Sequence, residues 1–222
     1  MKKTIDISKN WLICADESAE GKAFSDTKTV LPFFHSAKDM APCTFSTLWT
    51  ALEEDDGKTV YIEFSQISGD VEIYSGDKLL GTHKSSSCSF RTLLTLEAVM
   101  NETYEIRVKV SPVARADSMF AFAGASLITV DSSHFNMTDL GKGIYTDYTL
   151  NNGNAELKVS TEVIRPNNYD VVSYTVMNMK GDTILTKTCK PTEPLCSFTI
   201  EGTEPWDGQS GAYLYKVNAK LL

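Results

Sequence analysis

His35, His83 and His134 are the side chains of this chain best suited to move a proton near neutral pH. Each stands alone. No Gly-x-Ser-x-Gly elbow is present, and no cysteine lies beside a histidine motif that would activate it. A lone histidine is more often structural than catalytic. The five cysteines, Cys14, Cys43, Cys88, Cys189 and Cys196, are odd in number and irregularly spaced. They form no Cys-x-x-Cys pair and no Cys/His cluster, so no metal site and no cofactor are expected. Free buried thiols are the expectation for a chain of this kind. Cys189 and Cys196 flank Lys190-Pro191-Thr192-Glu193-Pro194-Leu195 and are placed to face each other across a hairpin. The acidic run Glu53-Glu54-Asp55-Asp56-Gly57 lacks the ligand spacing of a calcium loop and reads as a solvated turn. Gly141-Lys142-Gly143 lacks the strand–helix setting of a phosphate loop.

The elements that must position these residues are strands. Val60, Ile62 and Phe64 alternate with Tyr61, Glu63 and Ser65, the period of a strand with one buried face. Ser68-Gly69 and Gly76-Asp77 are turn pairs, and Leu79, Leu80, Cys88 and Phe90 supply the next apolar positions. Phe45, Thr47 and Trp49 line one face of another strand, and Tyr104, Ile106, Val108 and Val110 one face of a third. In the second half, Ala155, Leu157, Val159, Thr161 and Val163 alternate with polar residues, as do Val172, Tyr174 and Val176. Strands with turns about every 8–12 residues predict all-β sandwich architecture. Four stretches fall outside the pattern. Residues 17–26 read as a polar loop, 33–42 as a connection and 114–124 as a loop, and 92–101 allow one helical turn.

The net charge of −8 argues against nucleic acid as a partner and against an anionic membrane surface. No apolar run approaches the roughly 18 residues that span a bilayer. The opening MKKTIDISKNW has no apolar core of signal-peptide length, which makes cytoplasmic localisation the expectation. A neutral ligand is compatible with this charge.

Residues 59–91 carry a resemblance to a known family. Phe64 to Ile67 matches a "Phe-x-x-Val" phrase, and Gly81, His83 and Phe90 match a "Gly-x-His-…-Phe" phrase. Both belong to the N-terminal sugar-binding domain of family 2 glycoside hydrolases, the β-galactosidase and β-glucuronidase group. Ser85-Ser86-Ser87 stands where that family has Gly-Gly-Tyr. Thr29-Val30-Leu31-Pro32 and the alternating strand from Tyr104 to Val110 are similar to further family phrases. Gly143-Ile144-Tyr145-Thr146-Asp147 resembles another, with Thr146 in place of an arginine. Glu204-Pro205-Trp206-Asp207 and Tyr213-Leu214-Tyr215-Lys216-Val217 resemble the end of the family's second domain. Asp131 to Asp139, with His134-Phe135, resembles the family's crossing into its second domain, so the resemblance implies a jelly-roll-like, galactose-binding-type β-sandwich over residues 1–132 followed by an immunoglobulin-like β-sandwich over 133–222. It also implies that the two catalytic glutamates lie in a downstream (β/α)₈ barrel, so this chain carries no catalytic residue and is expected to be inactive alone. In the family the loop at 114–124 reaches toward the sugar, which makes Arg115, Asp117 and Phe120 the candidate carbohydrate contacts. The loop, with Met119, Phe120 and Phe122, is expected to pack on the barrel in the full enzyme and, in the isolated chain, to be mobile or to make a crystal or homo-oligomer contact.

Three functions compete. The first is a non-catalytic N-terminal segment of a glycosidase, its partners being the barrel and, through the parent enzyme, carbohydrate. The unbroken strand running to Leu222 favours a cut segment. The second is a stand-alone carbohydrate-binding module using exposed aromatic side chains, with Trp206 the candidate. The third is a structural or adhesive sandwich pair. Fold alone does not choose among them.

Overall fold

In a computed structural model, the described residues are 2–15, 27–37, 40–84, 88–111, 119–137, 143–193, 195–204, 208–209 and 213–222. They are built from strands. The one helical element among them is a 3₁₀ turn at Glu53–Asp55, inside the acidic run. The chain divides into two compact units, Met1–Ser132 and Ser133–Leu222.

The first unit holds β1 (Lys3–Asp6), β2 (Trp11–Ala15), β3 (Thr27–Thr29), β4 (Phe33–Ser36), β5 (Cys43–Thr50), β6 (Thr59–Ile67), β7 (Asp70–Ser75), β8 (Lys78–His83), β9 (Phe90–Thr95), β10 (Thr103–Ser111) and β11 (Met119–Val130). One sheet runs β1-β11-β6-β9, with β4 also paired to β11, and the other runs β3-β2-β5-β10-β7-β8. Every pairing is antiparallel. Alternation decides which side chains meet between the sheets. Cys43, Phe45, Thr47 and Trp49 of β5 are buried, as are Tyr104, Ile106, Val108 and Val110 of β10.

β11 is where the sequence pattern is hardest to read. Phe120 and Phe122 point into the core from even positions, and Ala125 and Leu127 from odd ones. A bulge reconciles the two parities: the register with β6 shifts between Phe122 and Gly124 and again before Ala125. β6 changes parity at the same level, from Val60, Ile62 and Phe64 to Ile67. Gly124 fits there because a Cβ would lie 3.2 Å from the Ser65 hydroxyl. The Ser8 hydroxyl fastens the bulge, donating to the Ala125 carbonyl and accepting from its N–H, both at 3.3 Å.

Four expectations are corrected. Residues 119–124 are strand, and Phe120 and Phe122 are core residues with at most 1% of their surface exposed. Residues 33–36 form β4, paired from Phe33↔Phe122 to Ser36↔Met119. The apolar run at 92–95 belongs to strand β9, paired to β6, and makes no helical turn. The acidic run is not fully solvated: the Asp55 carboxylate is buried, accepts the Leu52 N–H at 3.2 Å and faces the Lys3 ammonium at 3.7 Å.

The second unit holds β12 (His134–Phe135), β13 (Ile144–Asn151), β14 (Asn154–Thr161), β15 (Val163–Ile164), β16 (Val172–Met177), β17 (Thr183–Cys189), β18 (Leu195–Ile200) and β19 (Lys216–Leu221). Its two three-stranded sheets run β13-β14-β18 and β17-β16-β19, and β12 pairs with β15. Ala155, Leu157 and Val159 meet Val172, Tyr174, Val176, Phe198 and Ile200 in one core. The Tyr174 hydroxyl is buried but satisfied by Thr161 Oγ1 at 2.6 Å.

Phe122 touches Trp11, Phe45 and Phe64 at ring-centroid distances of 5.2, 5.2 and 5.7 Å. Phe122→Ala should therefore destabilise the chain by about 3–5 kcal/mol, the range for a truncated core phenylalanine. Urea titration checks it; a loss below about 1 kcal/mol would mean the ring is not a core contact.

Candidate functional site

Gly81 and His83 of the motif phrase lie on β8 and Phe90 on β9, strands of different sheets; residues 85–87 lie outside the described residues. β8 is the edge of the six-stranded sheet and β9 the edge of the sheet opposite. Gly81 lets the strands close on each other, since a Cβ there would sit 3.1 Å from Thr92 Oγ1. That hydroxyl donates to the Leu80 carbonyl at 2.9 Å. The His83 ring stacks on Phe90, with centroids 4.1 Å apart and planes 9° from parallel. Phe90 stacks in turn on its cross-strand partner Phe64 at 5.0 Å. Burial holds the His83 pKa below the ordinary histidine value, favouring the neutral ring. The geometry is that of a sheet-to-sheet clasp.

Of the candidate sugar contacts, Arg115 and Asp117 lie outside the described residues, as does Trp206. Phe120 is withdrawn as a contact. Its ring is buried between Phe33 and Phe45, at 6.2 and 6.1 Å, and cannot present a face to a ligand. Several carboxylates are engaged structurally. Glu63 accepts from the Arg91 guanidinium across β6 and β9. Asp170 accepts from the Ser133 hydroxyl, which with the Asn167 N–H holds its carboxyl below the usual carboxylate range. Among the described residues no three His, Cys, Asp or Glu side chains converge as a metal site would require.

Three surface features were not singled out by the sequence reading. On the outer face of the six-stranded sheet, Asn10, Leu12, Lys28, Ser46, Leu48 and Glu105 line a depression of about 440 Å³. Elsewhere on that sheet Lys109 and Arg107 lie against the Tyr74 ring, at 5.2 and 5.9 Å. The second unit has an open cleft of about 400 Å³ whose walls include Tyr148 and Leu150 of β13, Leu157 of β14 and the pair Tyr213–Tyr215. Those two tyrosine rings are 5.2 Å apart. Thr146, Tyr148 and Leu150 project to the same side of β13 because they are two residues apart. That spacing was a readable signal, masked by the polar residues between.

Cys189 ends β17 and Cys196 is the second residue of β18, strands of different sheets that do not pair with each other. The sulfurs face each other at 2.6 Å, both buried. Burial first, and the Cys189 thiol second, push Cys196 up to about 11.

No family model matches the chain, and no curated protein matches it. Solved structures do. A putative β-galactosidase from Bacteroides fragilis superposes with a TM-score of 0.76 at 19% identity, over 100% of this chain and 39% of its own. An FMN-binding β-glucuronidase from Facaelibacterium prausnitzii L2-6 gives 0.73 at 21% identity, over 100% and 37%. The chain shares its fold with one part of these enzymes. A glycosyl hydrolase family 2 member from Bacteroides cellulosilyticus DSM 14838 gives 0.65 at 15% identity, over 99% of this chain and 34% of its own. The chain thus spans between 34% and 39% of the length of these three proteins.

The clasp predicts a pH dependence. In the unfolded chain His83 takes up its proton near 6.5, and in the folded chain only at lower pH. The unfolded state therefore binds more protons in that interval, so stability is fully present above 6.5 and is lost as pH falls below it. His83→Phe keeps a ring on Phe90 and removes the proton. Thermal melts between pH 7.5 and 5 should fall less steeply for His83→Phe than for the parent chain; equal slopes would exclude His83 as the source.

Proposed function

We propose that this chain is a non-catalytic segment from the N-terminal part of a family 2 glycoside hydrolase. In this reading the first unit is the sugar-binding-type jelly roll and the second the immunoglobulin-like sandwich. Together they shape and support the active site of a (β/α)₈ barrel, and carbohydrate is met through that parent enzyme. The observation that carries the reading is the superposition of the whole chain on a fraction of β-galactosidase and β-glucuronidase chains. The chemistry agrees with it. Glycoside hydrolysis needs a raised-pKa acid and a second carboxylate facing it across the bond. Here Glu63, Asp55 and Asp170 are committed to Arg91, to Lys3 with a backbone amide, and to Ser133.

Two measurements test this. The purified chain should show no turnover of nitrophenyl β-galactoside or β-glucuronide above buffer. The reading frame beyond residue 222 should encode strands alternating with 10–15-residue helices and carrying two glutamates. Turnover abolished by a single Asp or Glu substitution, or a downstream frame without that alternation, would sink the proposal.

The cleft beside Tyr148 favours a second reading, in which the chain itself holds a sugar against aromatic faces. Under that reading galactose or glucuronate shifts the NMR signals of Tyr148, Tyr213 and Tyr215. Tyr148→Ala then weakens binding by roughly 1 kcal/mol, about fivefold. No shift at millimolar sugar would dispose of it.

A further inference from the structure

We propose that Cys189 and Cys196 are a redox-controlled pair whose disulfide pins the two sheets of the second unit together. The placement carries the argument. Cys189 closes β17, in the sheet with β16 and β19, and Cys196 lies in β18, in the sheet with β14 and β13. The two strands do not pair, so no backbone ladder joins the sheets at this point; the Lys187 ammonium on the Ser197 carbonyl at 3.2 Å is a side-chain link between them. The residues opposite each cysteine, Val172 and Val159, are fully buried at the centre of the core. The thiols are thus held on stiff, well-packed strands rather than on loops. Their sulfurs stand 2.6 Å apart, within easy approach of the roughly 2.05 Å of a bonded pair. Only six residues separate them, and the connection is itself folded back by the Glu193 N–H on the Lys190 carbonyl at 2.9 Å.

The oxidant is a disulfide, either a small molecule such as oxidised glutathione or a protein disulfide donor. One cysteine, as thiolate, attacks an oxidant sulfur; a mixed disulfide forms and the first oxidant thiolate leaves. The second cysteine loses its proton and attacks the cysteine sulfur of that mixed disulfide, expelling the second thiolate. The pair gives up two protons and two electrons, and the oxidant's S–S bond becomes two thiols. Cys189 is the better first attacker because it keeps 8% exposure against 1% for Cys196. Cys196, held protonated by burial, is the resolving partner. Access is the slow part, so closure is fastest while the chain folds and slow once the sandwich is shut.

The test uses the whole chain. Trypsin does not cut after Lys190 because Pro191 follows it, so both cysteines fall in one tryptic peptide, residues 188–216. The chain is refolded in a glutathione redox buffer, or in reductant, and alkylated under denaturing conditions. After the redox buffer the peptide should be lighter by two hydrogens and carry no alkyl group. After reductant it should carry two. Differential calorimetry should show a melting temperature several degrees higher for the oxidised chain. Reductant should erase that difference, and Cys189→Ser should abolish its dependence on reductant. If the serine variant fails to fold, the peptide mass on the parent chain still decides. Two alkyl groups after refolding in the redox buffer, a glutathione adduct in place of the internal bridge, or bridges to Cys14, Cys43 or Cys88 would overturn the proposal.

Discussion

The first unit depends on one requirement: Phe122 must meet rings from both sheets at once. It reaches Trp11 and Phe45 in the six-stranded sheet and Phe64 within its own. Phe120, Phe33 and Phe90 extend the cluster, and His83 ends it at the corner. Each large ring contributes on the order of 2–3 kcal/mol by burial. A strand of strict alternation could not satisfy this cluster and also bury Ala125 and Leu127. The bulge at Gly124 is the local cost of meeting both demands. Ser8 and Ser65 close in on it because no side chain occupies the space.

That same bulge explains which parts of the fold were legible. β5, β10, β14 and β16 were readable because one parity holds along each and the buried face is apolar. β11 was not, since its two halves carry opposite parities and its first half reads as an apolar loop. β4 failed for another reason. It is four residues long and its pattern is mixed, with Phe34 exposed and Phe33 packed on the core. β9 was lost because Leu93 and Leu94 are adjacent apolar residues on opposite faces. In each case tertiary pairing, which no short window contains, decided the element.

The second unit shows the complementary limit. Its core alternation was plain, yet its surface chemistry was hidden. Tyr148 and Leu150 lie two residues apart on β13, whose exposure gives no apolar face to notice. Cys189 and Cys196 were visible as near neighbours, and the hairpin expected between them is instead a crossing from one sheet to the other. Sequence distance told that they could meet. Only topology told that a bond there would tie layers rather than strands.

The candidate site was the least legible part, and the reason lies in what the family phrases do. Gly81, His83 and Phe90 carried the resemblance, and all three are spent on the clasp between sheets. Gly81 suits the corner because a Cβ there would press on Thr92 Oγ1 at 3.1 Å, and His83 because its flat ring stacks on Phe90. Constraints of this kind belong to the fold, so any chain that makes the same corner inherits them whatever it binds. Phe120 repeats the lesson: an aromatic residue near an expected ligand loop turned out to be a core ring. The residues that carry the resemblance are thus those that hold the sheets of the first unit together at this corner.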